Sequence, residues 1–291
     1  MRRRRILAAA LAGVGTGLGL IAVAHSLPGA DARSDEPVAL QASRQASERL
    51  QRRPGGFLAF SQVPRGPGSR VGVVGRSVRG RPIVLREYGR PAIDRELLVF
   101  GCIHGDECAA RALRPLTQIT SHCPDPASDI YVVPTLNPDG EALGTRLNGR
   151  GVDLNRNFPA GWEPIGEPGH PEHSGPKPFS EPETRLAARI VMRLRPEVTI
   201  WFHQHHAPRP LVRAWGRSVP AARRYARLAR LPFRRMPWPA GTAPHWQNRH
   251  LAEGSSFVVE LPRGPIAEGR RALLERGLVR IGRWVARVGE D

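Results

Sequence analysis

The chain has 291 residues, room for one large domain or two small ones, and its 40% hydrophobic content is ample for a packed core, which excludes a wholly disordered protein. Lys+Arg 44 against Asp+Glu 26 gives a formal charge of +18, nearly all of it arginine, since Lys177 is the only lysine. The arginines are scattered rather than set in an aromatic-interleaved stripe, which argues against a nucleic-acid partner, and three cysteines cannot all pair within one chain, which excludes a disulfide-dense scaffold.

Residues 2–5 are all arginine and residues 6–24 are uncharged and rich in Ala, Leu and Gly, the pattern of an export signal. Small residues at 22–24 and 30–32 offer cleavage sites. The apolar run approaches the ~20 residues that span a bilayer, so an uncleaved anchor is the alternative, and the membrane is a partner only through this segment. The expected location is outside the cytoplasm. Residues 33–70 are polar with Pro/Gly clusters at 54–56 and 64–68, a linker or lead-in segment.

The folded domain is expected over residues 71–291. Residues 71–78 and 83–88 flank Arg79-Gly80-Arg81-Pro82 and predict a hairpin. Residues 96–103 are a short apolar run, a buried strand, and residues 106–120 have helical spacing. A second buried strand is expected at 129–134. The Gly/Pro-rich stretch 161–178 is a long loop of the kind that carries function. Ser180-Glu181-Pro182-Glu183 has the form of a capping box opening a helix to about Arg193. A third strand at 197–202, a helix at 219–229, a fourth strand at 256–259 and a closing helix at 267–288 complete an α/β domain with a mostly parallel sheet.

In such sheets ligands bind beyond the carboxyl ends of the strands. There the sequence sets His104-Gly105-Asp106-Glu107 after the first buried strand and Asn137-Pro138-Asp139-Gly140 after the second; His203 ends the third and Glu260 the fourth. His104, Glu107 and His203 make a two-His, one-carboxylate set, the usual protein ligands of a catalytic zinc with an open position for water. Glu260 is then the natural general base. Asp153-Leu154-Asn155-Arg156-Asn157-Phe158-Pro159 forms a second constellation, in which an arginine with a flanking amide suits a carboxylate. Spacing alone does not choose the ligand among His203, His205 and His206. His170-Pro171-Glu172-His173 also imitates a metal site; in a Gly/Pro loop it is read as a flexible surface segment.

These residues resemble the zinc carboxypeptidase family with the funnelin-type α/β fold. The matching pieces are H-G-D-E, N-P-D-G, R-x-N-x-R-G-V-D-L-N-R-N-F-P, F-S-E-P-E, F-H-Q and F-V-V-E-L-P, in the family's order over residues 101–262. The resemblance implies a mixed, mostly parallel sheet with helices on both faces and one Zn2+ held by His104, Glu107 and His203. It implies Glu260 as the catalytic glutamate, Asn155 and Arg156 as the grip on the substrate's terminal carboxylate, and Arg146 as the arginine that polarises the scissile carbonyl. F-H-Q selects His203 over His205 and His206.

Two features depart from the digestive members of the family: Asp106 stands where they carry arginine, and no tyrosine follows Tyr225, where they use a mobile one. Residues 241–246 fall where the specificity pocket is expected. H-G-D-E and the compact size look more like the bacterial murein peptide amidase branch, implying cleavage of peptidoglycan-derived peptides at a γ-D-glutamyl–diaminopimelate bond. An N-acyl amino acid deacylase on the same scaffold, and a non-catalytic cell-wall binding protein, are the competing functions. Cys108 and Cys123 flank a predicted helix that would hold them roughly 20 Å apart, too far to bridge; a Cys102–Cys108 link is the alternative to buried free thiols at Cys102, Cys108 and Cys123.

Overall fold

A computed structural model describes residues 70–88, 96–108, 129–205 and 209–287. The expected signal, linker, first helix and Cys123 lie outside these residues, as do His206 and the side chain of His205. No helix among the described residues is long and apolar enough to cross a membrane.

Among the described residues eight strands form one sheet: β1 (Arg70–Arg76), β2 (Pro82–Tyr88), β3 (Glu96–Cys102), β4 (Asp129–Thr135), β5 (Val198–His205), β6 (Leu211–Ala214), β7 (Phe233–Arg235) and β8 (Ser255–Pro262), in the order β1-β2-β4-β3-β5-β8-β6-β7. β4, β3, β5 and β8 run parallel through the middle, β6 and β7 pair in parallel with each other, and β1/β2, β2/β4 and β6/β8 are antiparallel. The mixed, mostly parallel sheet is therefore as the sequence predicts. β3 shows why: all its residues after Glu96 are buried, as a strand covered on both faces requires.

Alternation along the strands divides the core in two. Leu97 and Val99 of β3 face one layer, with Ile200 and Phe202 of β5 and Phe257 and Val259 of β8. Helices α3 (Val219–Leu228) and α5 (Glu268–Arg287) cover it through Tyr225, Leu274, Leu278 and Ile281. Leu98 and Phe100 face the other layer, where α2 (Pro182–Leu194) and α4 (Ala243–His250) contribute Leu186, Ile190 and Trp246. Phe100 stacks on Trp201 with ring centroids 4.0 Å apart. Helices thus pack on both faces. A short helix α1 (Pro138–Leu143) follows β4, and a 3-10 turn (Leu154–Arg156) lies between α1 and α2.

The start of α2 differs from the expected capping box. Glu181 is the N-cap and makes no side-chain cap bond. The Ser180 hydroxyl instead donates to Glu181 Oε1 at 2.7 Å and accepts from Asn157 Nδ2 at 2.8 Å. Glu183, expected to reach back to the cap, accepts from the Val78 backbone N–H and from Asn148. Tertiary partners have outbid the local ones; burial raises the Glu183 carboxyl despite these bonds. Tyr225 is wholly buried in the core, its hydroxyl directed at the Leu274 carbonyl, so it is no mobile site tyrosine.

Candidate metal centre and its cleft

The centre is assembled at the carboxyl ends of β3, β5 and β8. The Cys102 carbonyl accepts from the backbone N–H groups of Leu136 and Asn137, locking the two turns after β3 and β4 together. Asn137 caps α1 by accepting from Gly140 N–H at 2.9 Å. A Cβ at Gly105 would lie 1.9 Å from the Gly140 carbonyl carbon, so the H-G-D-E turn needs glycine to dock on the N-P-D-G turn. In the parallel register His203 stands opposite Glu260, and both side chains line one cleft of about 140 Å³.

The three expected ligands converge. One donor atom each from His104, Glu107 and His203 lies within 4.8 Å of the others, and all three residues are buried. Glu107 Oε2 is 3.0 Å from His104 Nδ1 and 3.1 Å from His203 Nδ1. The same oxygen accepts from Gln204 N–H. On the other side of its ring, His104 Nε2 lies 3.1 Å from Asp153 Oδ1, and Asn155 Nδ2 lies 3.5 Å from His203 Nε2. Asp153 thus fixes the His104 ring from behind, as a carboxylate does in histidine-ligated metal sites, while the Asn155 amide nitrogen only flanks the His203 ring.

The field here favours positive charge. Burial works against the charged form of His104, but the Asp153 and Glu107 carboxylates outweigh it and push the imidazole up to about 9. Burial likewise opposes ionisation of Glu107 and Asp153, yet His104 holds both well below the usual carboxylate range, with His203 helping at Glu107 and Arg146 and Arg156 at Asp153. Two imidazoles and a carboxylate suit a borderline divalent ion, and a pocket that stabilises a proton this strongly suits a cation generally; the residues fit zinc.

Each further residue singled out in the sequence reaches this cleft, though not all are free. Arg146 is tied to the protein: Nε and Nη2 donate to Asp153 Oδ2, Nε also to the Pro171 carbonyl, and Nη1 to Glu107 Oε1 at 2.9 Å. Nη1 is also 3.0 Å from His104 Nδ1, so it touches two of the three donor groups. Burial lowers this guanidinium and Asp153 and Glu107 more than restore it. Asn155 spends its amide oxygen on Ala243 N–H at 3.0 Å. Arg156 donates to its neighbour's carbonyl and pairs with Glu172. Glu260 is 3.8 Å from Arg213 Nη1.

Residues 170–173 lie at the surface, as expected, and are tied to their surroundings by hydrogen bonds. His173 O accepts from Asp153 N–H, Glu172 N–H donates to His170 Nδ1, and the Glu172 carboxylate sits on Arg156. None of the four lines the cleft itself, and among the described residues they join no group of converging metal donors. Asp106 pairs with Arg263. Thr242 and Pro244 line the cleft, as expected for residues 241–246, while Trp246 goes to the core. The sequence assigns no site role to Asp153, Glu172, Arg213 or Trp238: Asp153 stands within D-L-N-R and Glu172 within the H-P-E-H of the long loop, while Arg213 and Trp238 carry no local signal. Cys102 and Cys108 are not in a disulfide. With Glu141 they make a second close group, and Cys108 and Glu141 line a neighbouring cavity of about 590 Å³ that none of the three ligands reaches.

Residues 67–230 match the family described as zinc carboxypeptidase. Murein peptide amidase A of Escherichia coli strain K12 is 37% identical over 149 residues, 44% of this chain and 57% of that protein. Carboxypeptidase B of Astacus astacus is 27% identical over 169 residues, 49% and 56% of the two chains. The chain thus spans a little over half the length of these relatives. Among solved structures, the murein-tripeptide amidase of Escherichia coli O157 superposes with a TM-score of 0.56 at 26% identity, covering 82% of this chain and 98% of that one. Carboxypeptidase A of Helicoverpa armigera gives 0.64 at 16% identity over 87% and 81%, a likeness in fold.

Proposed function

This chain belongs to the zinc carboxypeptidase family, and from that premise we propose that it hydrolyses an amide bond in short, peptidoglycan-derived peptides outside the cytoplasm. The observation that carries the reading is the convergence of His104, Glu107 and His203 at strand ends where Glu260 faces the same cleft. A zinc ion bound there supplies a water acidified to about pKa 7 and an electrophile for the carbonyl.

The chain's own residues do the rest. Glu260 accepts the proton of the attacking water on its carboxylate and passes it to the departing amine. Arg156, with Asn155 beside it, holds the free carboxylate of the departing residue by charge-assisted hydrogen bonds. Glu172 occupies that position in the free protein and gives way to the substrate. Arg146 turns Nη1 from Glu107 toward the carbonyl oxygen, where negative charge develops, while Asp153 keeps its Nε and Nη2 in place.

The murein amidase relatives, rather than any contact in the cleft, support the cell-wall substrate, and the Arg2–Arg5 and apolar 6–24 pattern supports export. Mass spectrometry of defined muropeptides after incubation with the zinc-loaded protein tests the reading. Release of diaminopimelate from L-Ala-γ-D-Glu-diaminopimelate is the expected result; intact tripeptide after prolonged incubation overturns it.

A further inference from the structure

Arg213 lies on β6 in the antiparallel pairing with β8, opposite Val258, with Leu211 opposite Glu260. Paired residues share a sheet face and so do residues two apart, so Arg213, Val258 and Glu260 all project to one side. That side is the cleft, which all three line with Arg156, Trp238 and Thr242.

The guanidinium there is poorly paired. Nη2 donates to the Pro237 carbonyl at 3.3 Å, and the guanidinium carbon lies 5.6 Å from the centroid of the Trp238 ring. Nη1 stands 3.8 Å from Glu260 Oε1, an ion pair too long for a hydrogen bond, and Nε is buried with no partner. Only 19% of the side chain is exposed, so water replaces few of the missing contacts. A buried donor left unmade is costly, and arginine is the side chain best shaped to hold a carboxylate with two parallel donors. Were Arg213 present only to neutralise Glu260, a direct hydrogen bond between them would be the expected geometry.

Of the three arginines that line the cleft, Arg146 is taken up by Asp153 and Glu107, which leaves Arg156 for the main-chain carboxylate of the departing residue and Arg213 with donors to spare. We infer that Arg213 is a specificity-determining residue that reads a second carboxylate, at the end of the departing residue's side chain. The inference rests on the peptidase reading of the cleft and narrows it to departing residues that are dicarboxylic. Diaminopimelate carries such a group; lysine is the same skeleton without it.

Binding and turnover separate the inference from the reading beneath it. Calorimetric titration of the zinc-loaded full chain with free diaminopimelate and free lysine is expected to give an affinity ratio of about tenfold or more in favour of diaminopimelate, the worth of a charge-assisted contact. The ratio is expected to fall close to one in Arg213→Leu and Arg213→Gln and to survive in part in Arg213→Lys, with melting curves and zinc content reporting the fold of each. Equal affinities, no binding of either at millimolar concentration, or an unchanged ratio in the folded neutral variants overturns the role of Arg213. In parallel, L-Ala-γ-D-Glu-diaminopimelate and L-Ala-γ-D-Glu-L-Lys are offered as substrates. A merely electrostatic effect of Arg213 on Glu260 moves both turnovers together; side-chain recognition moves their ratio. Failure to cleave either peptide overturns the peptidase reading, and the binding ratio then still decides the part played by Arg213.

Discussion

Asp153 Oδ1 stands 3.1 Å behind His104 Nε2, on the side of the ring away from Glu107, and its other oxygen takes two donors from Arg146. One buried carboxylate thus fixes the ring of an expected ligand and the reach of a candidate oxyanion arginine. Asp153→Asn keeps the shape and removes the charge. Zinc affinity, measured by competition with a chromogenic chelator, is expected to fall about 10–100-fold, the usual effect of losing such a partner. Unchanged affinity would show that Asp153 does not support the centre.

Glu260 lines the cleft beside the ligand set but is not among the three converging donors. Glu260→Gln is therefore expected to bind one equivalent of zinc as wild type does, while hydrolysis falls by about 10²–10⁴-fold. Chelation is expected to silence the wild-type protein, and zinc to restore it. Zinc analysis beside a peptide-hydrolysis assay reads both; activity indifferent to chelator would remove the metal from the reaction.

The Glu172 carboxylate on Arg156 makes the free protein its own competitor for that arginine. Glu172→Gln is expected to lower KM for a peptide with a free terminal carboxylate by about 3–10-fold with little change in kcat, since fewer molecules must first open the pair. Arg156→Gln is expected to raise KM at least about tenfold. Steady-state kinetics on one peptide distinguishes the two, and a rise in KM for Glu172→Gln would make Glu172 part of the substrate grip instead.

Asp139 pins the β1–β2 turn to α1, accepting from Arg79 N–H at 2.9 Å and Arg81 Nη1 at 2.8 Å. Burial opposes its ionisation, but the Arg79 N–H, the Arg81 side chain and the Ser77 hydroxyl more than compensate and depress its carboxyl. A depressed carboxyl contributes stability that is present above the unfolded value near 4 and is lost as pH falls through the lower folded value. Asp139→Asn is expected to cost about 1–2 kcal/mol in urea denaturation at pH 7, the half-exposed Arg81 adding little. The gap between variant and wild type narrows below about pH 4. A constant gap from pH 7 to pH 3 would contradict this.

What the sequence revealed, it revealed through burial. Parallel strands covered on both faces are unbroken apolar runs, so β3, β4, β5 and β8 stand out; of the polar residues near their ends, His104, His203 and Glu260 line the cleft and Asn137 holds the turn beside it. β6 and β7 escaped because they are only four and three residues long and carry arginine among their few apolar residues, so Arg213 looks like any surface arginine. Ser180 misled for a related reason: a capping box is a local pattern, and Asn157 and Val78, both distant in sequence, claimed its members. Glu172 carries no periodic signal, and only the folded loop brings it to Arg156.

The side-chain amide of Asn157 donates to Ser174 O, Lys177 O and Ser180 Oγ, and accepts from Glu181 N–H and Thr184 Oγ1. A single residue next to Arg156 therefore moors the far end of the long 161–178 loop to the start of α2. No residue of 161–178 lines the cleft itself, so what this anchoring holds is the backbone that carries Glu172 to Arg156, while the half-exposed Glu172 carboxylate stays free to yield. Loosening that backbone, as in Asn157→Ala, would then weaken the hold of Glu172 on Arg156 while leaving His104, Glu107 and His203 in place.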